Sequence, residues 1–362
     1  MDAAELRAAF PVLEQVAYLN AGSDGPVSRQ AIAAATTELE HQRDAGRATA
    51  HFEHRRELCD TQRCHYAGLL GAAPENVALT TSTSEGIAIA LAGLPLAPGD
   101  EILCAEGEHP GLLGSLQAAR DLRGVSVRFV ALSRIADSLG PNTRAVTCAH
   151  VAWRTGETAP VEALAALADS GMPVLYDGAQ AVGAIPVDVE ELGCAIYAGS
   201  GQKWLCGPDG TGMLYVASAW LERLEVTRRG YASFSEPSAG IDAPLCDDAR
   251  RYDTPSLSAE ASAFAIAAYE LLESFGWDAV HARGDELASE LTLRLAERGH
   301  AVASRGNTTL VSWHSDEPAA VKTRLADAGI VVRDLPGTDL LRASVGAWND
   351  GHDIDRLLRA VG

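Results

Sequence analysis

The sequence predicts an α/β protein with a mostly parallel sheet sandwiched by helices, followed by a smaller α+β C-terminal domain. Up to about residue 218, short apolar runs alternate with helical patterns, which is typical of parallel strands joined by crossover helices. Beyond that point, long helical patterns are followed by shorter strand and helix units. With 362 residues, 47% of them hydrophobic, the chain is long enough for two cores. We expect a large domain over 17–250 and a small domain over 251–362, completed by 1–16.

Apolar periodicity places the elements in order along the chain. Two helices are expected first, over 30–42 and 53–70. Buried strands are then expected over 77–80, 101–104, 126–130, 145–149, 174–176, 195–198 and 213–216, with helices over 85–94, 111–122 and 161–169. In the small domain we expect helices over 259–275, 277–298, 318–328 and 353–360, and strands over 310–313, 330–332 and 340–343.

Charge and cysteine content exclude several classes of protein. The formal net charge is −20 and no cluster of basic residues interrupts it, so neither a nucleic acid nor an anionic membrane is an expected partner. The seven cysteines include no C-x-x-C pair, which indicates neither a metal site nor a disulfide framework and fits a reducing cytoplasm. The first residues lack the basic start and apolar core of a signal peptide.

Asp177 and Lys203 follow two consecutive predicted strands. The carboxyl ends of parallel strands meet at one edge of a sheet, so we expect the two side chains to lie together. A buried carboxylate beside an amine suits pyridoxal phosphate, because the carboxylate keeps the pyridine nitrogen protonated and the lysine holds the aldehyde as an imine. The chain has only two lysines among its 29 basic residues, and arginine cannot form that imine. The alternative is a structural ion pair at a domain edge.

Two further groups follow predicted strands. Ser82 and Glu85 have the spacing of a capping box, which places Thr83, Ser84 and the following amides at a helix N-terminus that can bind an anion. An ordinary capped helix is the alternative. His109 follows the next strand, where an imidazole could stack on a pyridine ring, or could be a loop histidine with its own hydrogen bond.

Arginines in the small domain are candidates for binding a substrate carboxylate. Arg342 lies in an apolar predicted strand, where a guanidinium needs a partner such as a bidentate carboxylate. Arg333 is a second candidate, and an internal salt bridge is the alternative for both. The segment 207–212, GPDGTG, lacks the lysine of a phosphate-binding loop and is interpreted as a tight turn before a strand.

Taken together, these segments resemble the class V aminotransferase and cysteine desulfurase superfamily of fold type I pyridoxal-phosphate enzymes. The resemblance runs from about residue 18 to 349 through YLNAGSDGPV, TSTSEGIAIAL, GEHPGLL, HVAWRTGETAPV, VLYDGAQAVGAIPVDV, YAGSGQKWLCGPDGTGMLYV, RRYDTPS and LRASVGAWN. The D-G-A-Q and S-G-Q-K-W-L-C-G-P segments are the most specific.

The resemblance implies a role for each matching residue. Lys203 would form the Schiff base, Asp177 would bind the pyridine nitrogen, Gln180 the ring hydroxyl, and His109 would stack on the ring. The phosphate would be bound by Thr83, Ser84, Ser200, Gln202 and, from the partner subunit of a homodimer, Thr254. Substrate would be held by Arg342, with Asn20 and Gly22 near it.

The sequence departs from the family pattern at three places. Trp153, beside the cofactor, replaces an asparagine of many desulfurases. Asp253 replaces the glycine that usually precedes Thr254. The segment 331–344, VVRDLPGTDLLRAS, has no cysteine where desulfurases carry the thiol that accepts sulfur, and Cys246 lies in a different segment.

These departures favour the branch of isopenicillin-epimerase-like proteins and C–S lyases. We therefore expect a β-elimination on a cysteine-derived amino acid. A class V aminotransferase, an amino-acid epimerase and a non-catalytic cofactor-binding relative remain as alternatives.

Overall fold

The computed structural model describes residues 1–362 and contains ten α-helices and twelve strands. The helices are α1 (Ala3–Ala8), α2 (Arg29–Ala45), α3 (Thr49–Leu70), α4 (Thr83–Gly93), α5 (Pro110–Arg123), α6 (Val161–Asp169), α7 (Ala259–Phe275), α8 (Trp277–Glu297), α9 (Pro318–Asp327) and α10 (Gly351–Val361). The strands are β1 (Ala17–Tyr18), β2 (Val77–Thr80), β3 (Glu101–Ala105), β4 (Ser126–Val130), β5 (Thr143–Ala149), β6 (Val174–Asp177), β7 (Ile196–Ser200), β8 (Gly212–Val216), β9 (Leu310–His314), β10 (Ile330–Val331), β11 (Arg333–Asp334) and β12 (Leu340–Ser344).

A seven-stranded sheet organises the first part of the chain, in the order β2-β8-β7-β6-β5-β3-β4. Strands β7, β6, β5, β3 and β4 are parallel to one another, and β8 is antiparallel to both of its neighbours. Strands β2, β6, β7 and β8 are buried at every residue, because helices cover both faces of the sheet. The predicted mostly parallel sheet is confirmed.

Alternate residues of these strands enter two separate hydrophobic cores. Tyr176 and Tyr197 point into one core with Leu70 of α3, whereas Leu175 and Ile196 point into the other, on the opposite face. This alternation follows from the two-residue period of a strand. It fixes the register of β6 against β7, in which Asp177 pairs with Ala198.

A smaller antiparallel sheet follows, in the order β11-β12-β9. The N-terminal segment contacts this sheet through an isolated bridge between Asn20 and Ser344 of β12, and β1 pairs with β10 in a separate two-stranded sheet. The small antiparallel sheet of the predicted C-terminal part is therefore present, together with an N-terminal contribution. The domain boundary at residue 250 stays a prediction.

Most predicted elements lie within a few residues of the observed ones, and N-terminal caps explain where several helices begin. Ser28, Ser82, Ser258 and Asp350 each accept a hydrogen bond from a first-turn amide, so α2, α4, α7 and α10 begin directly after them. The predicted starts at 30, 85 and 353 were late, because the capping residue precedes the first apolar position. None of the helices has both the length and the apolar composition needed to cross a membrane.

Candidate active site

The carboxyl ends of β6 and β7 bring Asp177 and Lys203 to the same edge of the sheet. Asp177 is the last residue of β6, and Lys203 lies three residues beyond the end of the adjacent parallel strand β7. The two charges lie close enough that Asp177 raises the pKa of Lys203. The predicted juxtaposition of acid and amine is therefore present.

Burial controls the protonation of Lys203. The pKa of Lys203 is lowered to about 8, mainly because its ammonium is removed from water. Arg342 also lowers this pKa, whereas Asp177 and Asp24 raise it and only partly offset the effect of burial. The other lysine of the chain, Lys322, is paired with Asp334 at 2.6 Å. Lys203 is therefore an amine that is partly neutral near physiological pH, which suits a nucleophile or a general base.

The chain itself orients the Asp177 carboxylate. Its Oδ1 accepts a hydrogen bond from the amide of Ala179 at 3.0 Å, and its backbone carbonyl accepts one from His150 at 2.9 Å. Only 6% of the residue is exposed. A carboxylate this deep in the protein needs a positively charged partner, and a protonated pyridine nitrogen is one.

Three of the predicted phosphate ligands have buried polar atoms without a partner. These atoms are Thr83 Oγ1, Ser200 Oγ and Gln202 Oε1. Thr83 is the first residue of α4, so its hydroxyl lies at a helix N-terminus, where amides and the helix dipole favour an anion. Ser84 is exposed and faces the start of α5, at Gly111. The hydroxyls of Thr83 and Ser200 can donate to a phosphate ester, whereas the amide oxygen of Gln202 can only accept and does not itself fit one.

The N-cap of α4 differs from the predicted capping box. Ser82 Oγ accepts from the amide of Glu85 at 3.1 Å, as expected. The Glu85 carboxylate, however, accepts from the amide of Thr81 at 2.6 Å and from the hydroxyl of Thr254 at 2.7 Å. It also pairs with Arg228. Glu85 turns away from Ser82 because these three groups, one of them charged, draw its carboxylate toward them.

His109 lies at the start of α5 and is held in one orientation. It caps the helix, and its Nδ1 accepts a hydrogen bond from the amide of Gly111 at 3.1 Å. Trp153 meets it edge to face, with ring centroids 5.2 Å apart at 87°. The Trp153 indole donates to the carbonyl of Gly107 at 2.9 Å. Trp153 therefore supports His109 as an apolar wall, and its N–H is already used.

Gln180, Gly22 and Arg342 meet at the boundary between the two sheets. Gln180 donates to the carbonyl of Gly22 at 2.7 Å and accepts from Trp204 at 3.1 Å, so one amide hydrogen of Gln180 stays free to donate. A Cβ on Gly22 would lie 2.9 Å from Arg342 Nη2 and 2.7 Å from Ser344 Oγ. Only glycine lets the backbone approach this closely.

Arg342 and Arg333 lie directly opposite each other on β12 and β11. Arg342 is 1% exposed, donates to the carbonyl of Trp153 at 2.7 Å, and has a buried Nε without a partner. Arg333 donates to Ser23 Oγ at 2.8 Å, and that hydroxyl donates in turn to Asn20 Oδ1 at 2.9 Å. Burial and the charge of Arg333 lower the pKa of Arg342 to about 9. Neither guanidinium has a carboxylate partner, which is unfavourable for facing like charges unless an anion is bound.

Thr254 lies against the N-terminus of α4 in its own chain, through the bond to Glu85. The unusual Asp253 before it forms a bidentate pair with Arg63, at 3.0 and 2.8 Å, and accepts from the amide of Leu79 at 2.8 Å. Asp253 thus fastens this segment to β2, the strand that leads to α4. Whether Thr254 reaches a partner's phosphate site stays a prediction.

The sequence analysis missed two acidic residues of the site. Glu108 is 4% exposed and binds the amide of Ala149 at 2.7 Å, and burial together with Asp177 raises its pKa to about 8. Asp24 lies in the loop after β1 and feels the charges of Lys203 and Arg333. Both residues stand in quoted segments, GEHPGLL and YLNAGSDGPV, but neither burial nor charge environment is visible in those letters.

All seven cysteines are free thiols. Only Cys64, on α3, is exposed, and Cys59 is half-buried. Cys246 is buried, contacts the carbonyl of Ala232 at 3.8 Å, and has a pKa raised by burial. Because a raised pKa disfavours the reactive thiolate, Cys246 does not have the properties of a sulfur acceptor.

Comparisons with known proteins identify the family and the fold of the chain. Residues 17–357 match the family model described as aminotransferase class V. The isopenicillin N epimerase of Streptomyces clavuligerus is 29% identical over 92% of this chain and 84% of its own length. The cysteine desulfurase of Haloferax volcanii is 30% identical over 79% of this chain and 74% of its own length. The solved structure of the cystine C–S lyase C-DES with its product, cysteine persulfide, has a TM-score of 0.91 at 28% identity, covering 97% of this chain and 98% of that one.

Proposed function

The chain belongs to the aminotransferase class V family, and from that premise we propose that it is a C–S lyase that cleaves a cysteine-derived disulfide such as cystine. It is a pyridoxal-phosphate enzyme, like the solved relative in which glycine is covalently linked to that cofactor. The observation that carries the choice of substrate is the pair of facing arginines, Arg333 and Arg342, which have no acidic partner in the chain.

The residues of the site fit the cofactor on chemical grounds. Thr83 and Ser200 present orphaned hydroxyls that would donate to a phosphate ester. Asp177 would accept a hydrogen bond from the protonated ring nitrogen, and His109 would cover a face of the ring. When bound, the pyridine ring supplies an electron sink for the pair released at the substrate Cα.

Lys203 is the residue that moves the proton. Its amine, with a pKa near 8, can take the α-proton from the substrate and return a proton to the departing sulfur. In the balanced reaction the Cβ–S bond breaks and its electron pair leaves with the sulfur. Cystine and water then give pyruvate, ammonia and cysteine persulfide, with no external oxidant or reductant.

Arg342 and Arg333 explain why a substrate with two carboxylates fits. Arg342, buried and held by the carbonyl of Trp153, would bind the α-carboxylate and align the Cα–H bond with Lys203. Arg333, on the neighbouring strand, would bind the second carboxylate of a cystine-like substrate. A bound pair of carboxylates would also remove the repulsion between the guanidiniums.

The cysteines favour a lyase over a desulfurase. A desulfurase needs a reactive thiolate beside the substrate sulfur, and the segment 332–340 that joins β10, β11 and β12 contains no cysteine. With no thiol there to accept sulfur, the sulfur leaves on the other half of the substrate, as a persulfide.

We further propose a homodimer in a reducing cytoplasm. Exposed apolar side chains on α2 and α3 support the dimer, among them Ile32, Leu39 and Phe52, which are 52%, 49% and 56% exposed. The seven free cysteines agree with a reducing compartment.

Product analysis tests the proposal. Purified holoenzyme is given L-cystine, or L-cysteine with a thiol acceptor, and pyruvate, alanine and ammonia are measured together with the optical rotation of remaining substrate. The lyase gives equal amounts of pyruvate and ammonia from cystine and no alanine. Alanine from cysteine would identify a desulfurase, keto-acid-dependent amino transfer an aminotransferase, and racemisation without pyruvate an epimerase. Lys203→Ala is the inactive control, and Lys322→Arg is the control that keeps activity.

A further inference from the structure

Asp24 is an exposed residue of the loop after β1, between two residues that contact groups of the site. Ser23, on one side, accepts a hydrogen bond from Arg333 at 2.8 Å. Gly25, on the other side, donates to the carbonyl of Gln202 at 2.7 Å and leaves no space for a side chain against the backbone of Lys203. The Asp24 backbone is fixed as well, because its carbonyl accepts from the hydroxyl of Tyr18 at 3.0 Å.

Asp24 lies near one other acidic residue and two basic residues of the site. Burial and the nearby Asp209 raise the pKa of Asp24, while Lys203 and Arg333 lower it. Asp24 itself makes no salt bridge, although Arg333 is close enough to influence it. The loop after β1 therefore holds a carboxylate near a guanidinium to which it is not bonded.

A guanidinium and a carboxylate set side by side complement the head group of an amino acid, in which a carboxylate and an ammonium are attached to the same carbon. Building on the proposed function, we propose that Asp24 and Arg333 form a subsite for the distal amino-acid head group of the substrate. Arg333 binds the distal carboxylate and Asp24 binds the distal ammonium. Asp24 thereby distinguishes disulfides of two amino acids from disulfides with a simple thiol.

The distal head group does not react, so the subsite acts on binding rather than on chemistry. A hydrogen bond between charged groups contributes about 1.5–3 kcal/mol, which corresponds to roughly a tenfold to hundredfold effect on kcat/KM. Loss of Asp24 is therefore expected to raise KM and to leave kcat nearly unchanged, but only for substrates that carry a distal ammonium.

Four mixed disulfides of L-cysteine separate the two charges. The second thiol is ethanethiol, with no charge, 3-mercaptopropionate, with a carboxylate, cysteamine, with an ammonium, or cysteine, with both. Pyruvate release is measured for wild-type holoenzyme, Asp24→Asn, Arg333→Gln and the control Asp137→Asn. Asp137 is a fair control because its side chain is 75% exposed and lies in the segment between β4 and β5.

The expected result is selective. Asp24→Asn lowers kcat/KM by at least about tenfold for the cysteine and cysteamine disulfides and by less than about twofold for the other two. Arg333→Gln affects the two disulfides with a distal carboxylate instead, and Asp137→Asn affects none. An equal loss for all four substrates with Asp24→Asn, or no loss for any, would overturn the subsite and leave the lyase in place. If the wild-type enzyme releases pyruvate from none of the four disulfides, the proposed function is wrong, and the proposed subsite is then wrong as well.

Discussion

Without the cofactor, Lys203 should lose its proton near pH 8. Burial of the ammonium lowers its pKa to about 8 from an ordinary 10.5. A shift of this size corresponds to about 3 kcal/mol of unfavourable free energy for the charged form. Asp177 opposes the shift and Arg342 adds to it. Asp177→Asn should therefore lower the pKa of Lys203 further, and Arg342→Met should raise it.

The composition of the chain makes this pKa directly measurable. Lys203 and Lys322 are the only lysines, so protein labelled with ¹³C at lysine Cε gives two signals, and Lys322→Arg identifies which signal belongs to Lys203. The chemical shifts are followed from pH 6 to pH 11 on protein freed of cofactor. A Lys203 signal that titrates above about pH 10 would refute the argument, because an amine in contact with water has that pKa.

The same shift makes folding stability depend on pH. Between pH 8 and 10.5 the Lys203 side chain binds more protons in the unfolded chain than in the folded one, so its own contribution to stability should rise with pH across that window. Buried groups such as Cys104 and Tyr215 have raised pKa values and contribute in the opposite direction, so the effect of Lys203 is measured as the difference between wild type and Lys203→Met. At pH 7, Lys203→Met should stabilise the cofactor-free protein by up to about 3 kcal/mol, and the advantage should vanish above pH 10.5. Denaturant unfolding at pH 7 and 10.5 measures both effects. A variant as stable as wild type at pH 7 would contradict the desolvation argument.

Three further predictions concern other parts of the site. Gly22→Ala should raise the KM for cystine roughly tenfold to a hundredfold, because its Cβ would lie 2.9 Å from Arg342 Nη2 and displace the guanidinium; steady-state kinetics would show an unchanged KM if this is wrong. Asp253→Asn should lower the unfolding free energy by about 3 kcal/mol, since it leaves Arg63 buried without its counter-charge. Denaturant midpoints measure this, with Asp137→Asn as control, and a shift no larger than that of the control would contradict it. Ser200→Ala and Thr83→Val should each weaken pyridoxal phosphate binding about tenfold, because each removes a partnerless buried hydroxyl that we propose donates to the charged phosphate. Equilibrium dialysis gives the dissociation constants, and wild-type affinity in both variants would exclude these hydroxyls from the phosphate site.

The arrangement of Asp177 and Lys203 could be predicted from the sequence because it depends on one rule. Parallel strands present their carboxyl ends at a common edge, so residues that follow apolar runs converge wherever the strands are neighbours. The same rule predicts the positions of Thr83 and His109 after β2 and β3. Each of these residues follows a buried strand directly or within a few positions, and local periodicity is enough to find such strands.

Other parts of the site depend on contacts between distant segments. Arg63 and Asp253 form their pair across 190 residues, so the sequence shows that Asp253 replaces the usual glycine but does not show what its carboxylate binds. Asp24 has no apolar periodicity around it, and its importance comes from Lys203 and Arg333, far along the chain. Glu108 becomes unusual only through burial, which its sequence neighbours do not reveal.

The N-terminal segment that crosses between the two sheets also affects when activity can arise during synthesis. Leu19 accepts a hydrogen bond from the amide of Ser344, and Gly25 donates to the carbonyl of Gln202, so one short stretch contacts both halves of the site. Lys203 and Arg342 are 139 residues apart in the sequence, so the two halves are translated at different times. A nascent chain therefore holds Lys203 before it holds Arg342, and it cannot bind a substrate carboxylate through Arg342 until β12 has left the ribosome.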